Sequence, residues 1–175
     1  MKEKITKRIP DLIFMILLIA FDQITKLIAR QTLADSSVTL IEGVFEFKLI
    51  YNKGVAWGMF NSLPFLISIF AVIIMSVVFI VYIKIPKDNK KLKALSIMLI
   101  LIFSGAAGNL IDRLIFSAVT DFIYISLINF PIFNIADCYI TIAGILTAIL
   151  LIFYYKEEDM KFLKIRKQRK DDPDV

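Results

Sequence analysis

The sequence contains no histidine and only one cysteine among its 175 residues. Without histidine, the chain cannot use a Ser-His or Cys-His nucleophile pair, a histidine-ligated zinc ion or the HExxH metalloprotease motif. Cys138 cannot form a disulfide within the chain, and no histidine is present to activate its thiol. We therefore predict that Cys138 is a small buried helix residue and that any chemistry uses carboxylates, lysine, serine or tyrosine.

Charge is nearly absent from the long hydrophobic segments. Hydrophobic residues make up 58% of the chain and the mean hydropathy is +0.75, whereas soluble domains are about 45–50% apolar. Runs of roughly 20 apolar residues match the ~30 Å hydrocarbon core of a bilayer. We predict a mainly α-helical membrane protein, a single integral membrane domain over residues 1–175, with transmembrane helices at about 12–34, 65–83, 94–113 and 137–155.

The lysine and arginine residues are unevenly distributed among the predicted connections. Sixteen of the 21 lie in segments 1–8, 84–93 and 156–170, whereas the connections on the opposite side hold only Lys48 and Lys53. The positive-inside rule then places both termini and the 84–93 connection in the cytoplasm. The basic excess thus predicts topology and contact with anionic lipid headgroups, and we expect no nucleic-acid partner.

Both ends of the chain carry further signals. The first apolar segment contains Asp22 and Lys26 and lacks a small-residue cleavage site, so it is typical of a retained helix rather than a cleavable signal peptide. The tail over 156–175 mixes both signs of charge and ends in an acidic run, which favours a flexible segment.

The first outer connection predicts a small extracytoplasmic β element over about 38–60. Residues 44–51 alternate between apolar and polar side chains, the pattern of a half-exposed strand. The sequence Asn-Lys-Gly at 52–54 indicates a turn, and Trp57 in the returning segment is suited to the membrane–water interface. A plain interfacial loop is the alternative interpretation of this connection.

Ionisable residues in or beside a membrane helix cost about 2.5–3.5 kcal/mol each at the helix centre, so they are candidates for function. Six lie away from the cytoplasmic flanks: Asp22, Lys26, Asp112, Arg113, Asp121 and Asp137. Asp22 and Lys26 are four residues apart and can pair on one helix face. Either this is a self-satisfied ion pair or it orients a neighbouring group, and both interpretations remain open.

The segment 104–113 combines small residues with polar ones. Ser104, Gly105 and Gly108 allow close helix–helix approach, which packing alone would explain. Asn109 and Arg113 share one helix face at the outer end of the third span. Arg113 could hold a carboxylate or a phosphate-bearing headgroup in a fork geometry.

Asp121 and Asp137 both belong to the second outer connection or to the start of the last helix. Asp121 taken alone could be an ordinary loop carboxylate, and Asn134 with Asp137 could form a helix-capping box. Taken together, two neighbouring carboxylates cannot both ionise easily, so the pair would provide an acid and a base for attack of water on a peptide bond. The assignment of those roles to one residue each stays open, because a dyad titrates as a unit.

These motifs, taken in order, resemble those of the lipoprotein signal peptidase (signal peptidase II) family. They are DQITK at 22–26, NKGVAWG at 52–58, GNLIDR at 108–113, VTDFI at 119–123 and FNIAD at 133–137. The resemblance implies a multi-pass aspartic peptidase of the bacterial inner membrane, with an outer β-cradle and its active site at the extracytoplasmic face. Such enzymes cut diacylglyceryl-modified prolipoproteins just before the lipidated cysteine.

The resemblance also implies roles for single residues. Asp121 and Asp137 match the family's catalytic dyad. The positions that match site-shaping or site-supporting residues are Asp22, Lys26, Asn52, Gly54, Gly108, Asn109, Arg113, Asn134 and Ala136. We expect no metal and no organic cofactor, membrane lipids as partners beside the prolipoprotein, and a monomer.

The chain departs from the commonest family pattern at three positions, which leave the proposed catalytic carboxylates untouched. Ser104 stands where glycine is frequent, Trp57 where phenylalanine is frequent and Thr120 where valine is frequent. They bear on fine substrate preference rather than on the reaction.

Three other classes of protein fit these residues less well. A proton- or cation-coupled transporter usually has its carboxylates near the midplane, whereas Asp121 and Asp137 fall at the outer end. A membrane scaffold would not explain why polar groups converge on one face. A serine–lysine peptidase lacks an evident nucleophilic serine as partner for Lys26.

Overall fold

A computed structural model describes residue 6 and residues 8–54 and 64–163, and four long helices account for most of them. They are α1 (Ile9–Thr32), α2 (Pro64–Lys84), α3 (Lys93–Phe116) and α4 (Ile135–Ile149), which a π-helix over Leu150–Tyr154 continues. Each is long and apolar enough to cross a membrane. The four-helix prediction is confirmed, and every predicted span end lies within three residues of the observed one.

Helix α3 is the central element of the bundle, because it contacts the three other long helices. Half of its apolar window, 50%, is buried inside the protein, against 6–17% for the others. The other helices expose large side chains, such as Leu17 at 61%, Phe70 at 56% and Phe153 at 81%. Such an apolar surface suits hydrocarbon as its surroundings, since exposing it to water would cost roughly 25 cal/mol per Å².

Three antiparallel strands form a sheet in the order β1–β2–β3: β1 (Val38–Ile41), β2 (Phe45–Asn52) and β3 (Val119–Tyr124). The predicted strand and the small β element are confirmed, although segment 55–60, with Trp57, lies outside the described residues. The third strand was not predicted. Its sequence is rich in β-branched and aromatic residues, the type of side chain that favours strands.

The sheet packs on the end of the bundle formed by the last turn of α1 and the start of α4. Phe122 of β3 is buried together with Ala29 and Leu33, and Phe47 and Ile135 pack against this cluster. By chain connectivity, this end is opposite to the connection between α2 and α3. The sheet and the lysine-rich connection are therefore at opposite ends of the molecule.

The predicted flexible tail begins instead with packed residues. Asp159 accepts a hydrogen bond from Lys91 Nζ over 2.6 Å, and Met160 and Phe162 pack against the apolar cluster near Tyr155. Burial of these two apolar side chains explains why the segment from 156 to 163 turns back on the bundle. Residues 164–175 lie outside the described residues.

Candidate active site

Asp121 lies on β3 and is only 2% exposed. Its Oδ2 accepts a hydrogen bond from Asn52 Nδ2 over 2.9 Å, and its Oδ1 accepts one from Asn134 Nδ2 over 2.6 Å. The interpretation as an ordinary loop carboxylate is therefore wrong, because the strand carries the side chain inward under the sheet. Strand β3 is the feature that was not predicted from the sequence, and its presence accounts for the burial of Asp121.

Asp137 lies in the first turn of α4 and forms the capping box that the spacing suggested. Its N–H donates to Asn134 Oδ1, and its Oδ2 accepts from the Asn134 N–H, each over 3.1 Å. Its other oxygen accepts a hydrogen bond from Asn109 Nδ2 over 2.8 Å. The capping role is confirmed, and it does not exclude a chemical one, because Asp137 also lines a cavity together with Asp121.

Two asparagines connect the aspartates. Asn134 Nδ2 lies 3.2 Å from Asn109 Oδ1, which also accepts a hydrogen bond from Lys26 Nζ over 2.8 Å. Asp121, Asn134, Asn109 and Asp137 thus form a continuous hydrogen-bonded chain. Both asparagine amide groups direct N–H donors at carboxylate oxygens, so the orientation of each carboxylate is fixed by neutral donors.

Asp121 has a strongly shifted acidity. Burial, and to a smaller extent the nearby charge of Asp137, raise the pKa of Asp121 to about 7 against the opposing effect of the hydrogen bonds from Asn52 and Asn134. An unperturbed aspartate titrates near pH ~3.9. Asp121 can therefore hold a proton close to neutral pH, which is a requirement for a general acid.

A cavity of about 460 Å³ lies among the end of β2, the end of α3 that carries Asn109 and Arg113, strand β3, segment 130–133 and the start of α4. Both polar and apolar residues line it. Its polar lining includes Asn52, Asn109, Arg113, Asp121, Asp137 and Cys138, and its apolar lining includes Val119, Phe130, Pro131, Ile132, Phe133 and Ile142. A site that combines ionisable groups with apolar side chains suits a substrate that combines a peptide bond with hydrophobic flanks.

Asp22 and Lys26 form a fully buried ion pair behind the cavity. Their side chains are 0% exposed and Lys26 Nζ lies 2.9 Å from Asp22 Oδ2. Asp22 Oδ1 also accepts a hydrogen bond from the Ala136 N–H over 3.0 Å, which ties α1 to the residue before Asp137. Both interpretations of the pair therefore apply, because Asp22 and Lys26 pair with each other and Asp22 also holds the backbone N–H of Ala136.

Two glycines allow this close approach. A Cβ at Gly108 would overlap the Asp22 carboxylate, and a Cβ at Gly105 would lie 2.5 Å from the carbonyl oxygen of Ala136. The packing role predicted for these residues is confirmed. Gly108 has a further effect, because its small size leaves room for the carboxylate that holds the Ala136 N–H.

Arg113 and Cys138 both line the cavity. Arg113 Nη2 donates to the Gly54 carbonyl oxygen over 3.2 Å, so it links α3 to the end of β2. Cys138 is only half-buried and lines the cavity, because its place in the first turn of α4 puts it beside Asp137. The prediction of a simply buried cysteine is therefore wrong.

Sequence reasoning gave no role to Arg30 and no structural role to Thr120 or Asp112. Thr120 and Asp112 are fully buried, and Arg30 Nη1 donates to Thr120 Oγ1 over 2.8 Å. A signal was present in the spacing, since Arg30 is four residues from Lys26 and so lies on the helix face that carries the buried pair. Among the residues that the structure describes, no three Cys, Asp or Glu side chains are grouped in a metal-holding arrangement.

A bundle of membrane-length helices that places a buried aspartate and a half-buried one on the same cavity beside a small sheet defines a multi-pass membrane protein with an acidic candidate active site. Comparison with protein families makes the class specific, because the family model described as Signal peptidase (SPase) II matches residues 14–153. The chain therefore belongs to the signal peptidase II family of peptidases. The resemblance seen in the motifs is confirmed.

Relatives with curated names are similar over most of their length. The lipoprotein signal peptidase of Clostridium tetani (strain Massachusetts / E88) is 41% identical over 160 residues, which cover 89% of this chain and 98% of that protein. The lipoprotein signal peptidase of Fusobacterium nucleatum subsp. nucleatum is 37% identical over 151 residues, covering 85% and 89%.

Solved structures share the fold. A bacterial membrane enzyme structure obtained by the in meso method at 2.3 Å resolution has a TM-score of 0.72 and 32% identity, and the match covers 92% of this chain and 94% of that one. A second in meso structure, at 1.9 Å resolution, has a TM-score of 0.71 at 32% identity and covers 83% of this chain. The fold class is thus shared with membrane enzymes.

Proposed function

We propose that the protein is an aspartic endopeptidase that removes signal peptides from diacylglyceryl-modified bacterial prolipoproteins, cleaving before the lipidated cysteine. One observation carries the proposal: Asp121 from a strand and Asp137 from a helix line the same cavity and are joined through Asn134 and Asn109. Membership of the signal peptidase II family, and relatives named lipoprotein signal peptidase, support the substrate class.

The two aspartates supply complementary proton transfers. The charge of Asp137 helps to keep Asp121 protonated, so the pair can hold one proton between a base and an acid. The ionised carboxylate takes a proton from a water molecule whose oxygen attacks the scissile carbonyl carbon. The protonated carboxyl donates its proton to the carbonyl oxygen.

Collapse of the tetrahedral intermediate completes the reaction. The C–N bond breaks, the carbonyl re-forms, and the amine nitrogen leaves with a proton from the aspartate pair. The asparagine donors keep both carboxylates in place through the cycle, because they interact with either charge state without changing their own. Either aspartate can start as the acid, since the pair titrates as a unit. The proposed mechanism uses no metal and no organic cofactor.

The position of the cavity supports a site at the extracytoplasmic face of the bacterial inner membrane. The cavity lies at the opposite end of the bundle from the lysine-rich 84–93 connection, which the positive-inside rule places in the cytoplasm. The diacylglyceryl chains would stay in the bilayer while the peptide reaches the aspartates. One chain supplies both aspartates, so we propose that a monomer, surrounded by membrane lipids, is active.

The experiment is cleavage of a diacylglyceryl-modified prolipoprotein by purified protein in lipid vesicles. We expect wild type to cut before the lipidated cysteine, and Asp121→Asn and Asp137→Asn to reduce kcat by at least about 10⁴-fold, because each removes one partner of the proton transfer. Asp35→Asn is the matched control, since Asp35 is an exposed carboxylate near the sheet, and it should cut like wild type.

Two results would contradict the proposal. Cleavage by either folded dyad variant at the wild-type rate would show that the carboxylates do not perform the chemistry. A wild-type protein that leaves the lipidated substrate intact, while a characterised signal peptidase II cuts it under the same conditions, would refute the substrate assignment. Circular dichroism and thermal unfolding would establish that each variant is folded.

A further inference from the structure

The start of β3 is held by polar contacts from two helices. Arg30, in the last turn of α1, donates through Nη1 to Thr120 Oγ1 over 2.8 Å, and Asp112 of α3 accepts the Thr120 N–H on Oδ2 over 2.8 Å. Thr120 is 0% exposed and immediately precedes Asp121. The side chain and the backbone N–H of Thr120, the residue before the candidate catalytic Asp121, are therefore both held by groups outside the sheet.

Arg30 and Asp112 also contact each other. Arg30 Nη1 lies 3.7 Å from Asp112 Oδ1, and Lys26 Nζ lies 3.8 Å from Asp112 Oδ2. Asp112 is fully buried, and its Oδ1 has no hydrogen-bond partner among the described residues. An unpaired buried carboxylate is costly, so the Arg30 cation helps to stabilise the carboxylate that accepts the Thr120 N–H.

A parallel arrangement occurs beside the second aspartate. The Ala136 N–H, one residue before Asp137, donates to Asp22 Oδ1 over 3.0 Å. Each aspartate of the pair is thus preceded by a backbone N–H that a buried carboxylate accepts. A repeated contact of this kind at both aspartates favours a function in placing them over incidental packing.

The β2–β3 ladder becomes irregular immediately next to Asp121. Asp121 pairs with Ile50, and the register between β2 and β3 shifts between Phe47 and Ile50. A bulge disrupts the hydrogen-bond ladder locally and bends the strand. Phe122, the residue after Asp121, lies opposite this irregularity. The contacts that hold Thr120 from outside the ladder therefore anchor Asp121 on its other side.

We propose that Arg30 is a positioning residue for Asp121, acting through Thr120 and Asp112. Thr120, which the family pattern led us to connect only with substrate preference, then affects the reaction as well. The inference rests on the proposed peptidase function and adds to it a residue outside the cavity. A basic residue in the last turn of a helix also complements the helix dipole, but that role needs neither the Thr120 hydroxyl nor the Asp112 carboxylate. The two roles are separable by experiment.

The test compares Arg30→Met, Thr120→Val and the double variant with wild type on the lipidated prolipoprotein. Thr120→Val keeps the shape of the side chain and removes only the hydroxyl, so the fold should be retained. We expect kcat to fall about 10-fold in each single variant while KM stays within about 2-fold, because a displaced carboxylate affects the transition state rather than binding. The double variant should be no worse than the poorer single one.

Matched controls separate positioning from general damage. Thr120→Ser restores the hydroxyl and should recover most of the kcat. Lys48→Met removes an exposed cation from β2 and should leave both constants unchanged. Thermal unfolding of each variant gives the folded fraction by which kcat is corrected.

The possible outcomes separate this inference from the proposed function. The inference is overturned if wild type is active and the Arg30→Met and Thr120→Val variants keep the wild-type kcat. It is also overturned if these variants change only in thermal stability or only in KM. In either case the peptidase assignment stands. Effects that simply multiply in the double variant also overturn it, since they would show that Arg30 acts independently of Thr120. A wild type that does not cleave overturns both.

Discussion

Asn134 Nδ2 donates a hydrogen bond to Asp121 Oδ1 over 2.6 Å. Asn134 is also the N-cap of α4, the helix that carries Asp137. One asparagine thereby sets the distance between a strand and a helix that are separate in sequence. Its backbone and carboxamide oxygen serve the helix cap, while its Nδ2 serves the strand. The capping of α4 and the hydrogen bond to Asp121 use different atoms of Asn134, so a substitution can remove one and keep the other.

Asn134→Ser should uncouple capping from the alignment of Asp121. Serine is a good N-cap, so α4 should remain capped, whereas alanine would cost the helix about 1 kcal/mol. Serine is too short to replace the Nδ2 donor, so we expect kcat to drop by about 10- to 100-fold with little loss of thermal stability. Steady-state kinetics and thermal unfolding of the serine and alanine variants measure the two effects. A serine variant with full activity would show that the Nδ2 contact is dispensable.

The pH dependence of activity should report on Asp121. Because the pKa of Asp121 is raised to about 7, its proton is present below that pH and is lost as the pH rises through it, so kcat/KM should decline on the alkaline side. The hydrogen bond from Asn52 lowers the pKa of Asp121. Asn52→Ala should therefore move the alkaline limb to higher pH.

Rates measured from pH 5 to 9 on the lipidated substrate locate that limb. Asp35→Asn, at an exposed position, is the control and should leave the limb where it is in wild type. A limb that moves to lower pH in Asn52→Ala would contradict the assigned direction. An activity that is flat up to pH 9 would show that Asp121 is not the group that must stay protonated.

Replacing glycines by alanine should destabilise the protein where two helices are in close contact and should have little effect where the glycine faces open space. Gly108→Ala would push against the Asp22 carboxylate, and Gly105→Ala against the Ala136 carbonyl, which is backbone and cannot rotate away. Each should cost about 1–3 kcal/mol, and Gly108→Ala should reduce activity as well, because it displaces the acceptor of the Ala136 N–H. Gly144→Ala is the matched control, since a Cβ there meets no described atom within 4 Å.

Thermal unfolding in detergent and the cleavage rate of each folded variant measure these effects. Gly144→Ala should unfold at the wild-type temperature or slightly above it. Equal stability of the three alanine variants would mean that α3 does not approach its neighbours as closely as the structure shows.

The single cysteine offers a chemical test of the cavity. Cys138 lines it beside Asp137, so alkylation with N-ethylmaleimide should place a group in the substrate's path and abolish cleavage. Cys138→Ala should cut like wild type and resist the reagent. Mass spectrometry of the labelled protein gives the stoichiometry for comparison with the lost activity. Full labelling without inhibition would place the thiol outside the region that substrate occupies.

Much of the architecture could be predicted because the bilayer imposes strong constraints. A helix must satisfy its backbone groups within itself in hydrocarbon, so long apolar runs identify spans with few alternatives. The strand at 44–51 was predictable from its alternation, and the Asn134–Asp137 cap from its spacing. Strand β3 was harder, because six residues between a helix and a loop carry no clear period and acquire a partner only when β2 lies beside them.

The candidate site divides in the same way. Asp121 and Asp137 could be predicted as functional candidates because they are ionisable residues beside membrane helices. The pairing of Asp22 with Lys26 could be predicted from their spacing of four residues. The pairing of two carboxylates predicted that one of them would resist ionisation. The burial of Asp121, which is the larger cause of its raised pKa, could not be predicted, since it depends on which atoms of distant segments surround the carboxylate. The half-exposure of Cys138 at the cavity depends on tertiary packing for the same reason.

The sequence by itself determined the four spans, the uneven distribution of positive charge and the residue types available for catalysis, because each depends on side-chain chemistry read along the chain. Only the tertiary structure decided that Asn109 and Asn134 would join the two aspartates, and that Arg30 would reach Thr120. Arg30 and Thr120 are 90 positions apart in the sequence, and a contact of this kind is fixed by how helices and strands pack in three dimensions. A pattern within one segment holds no information about that packing.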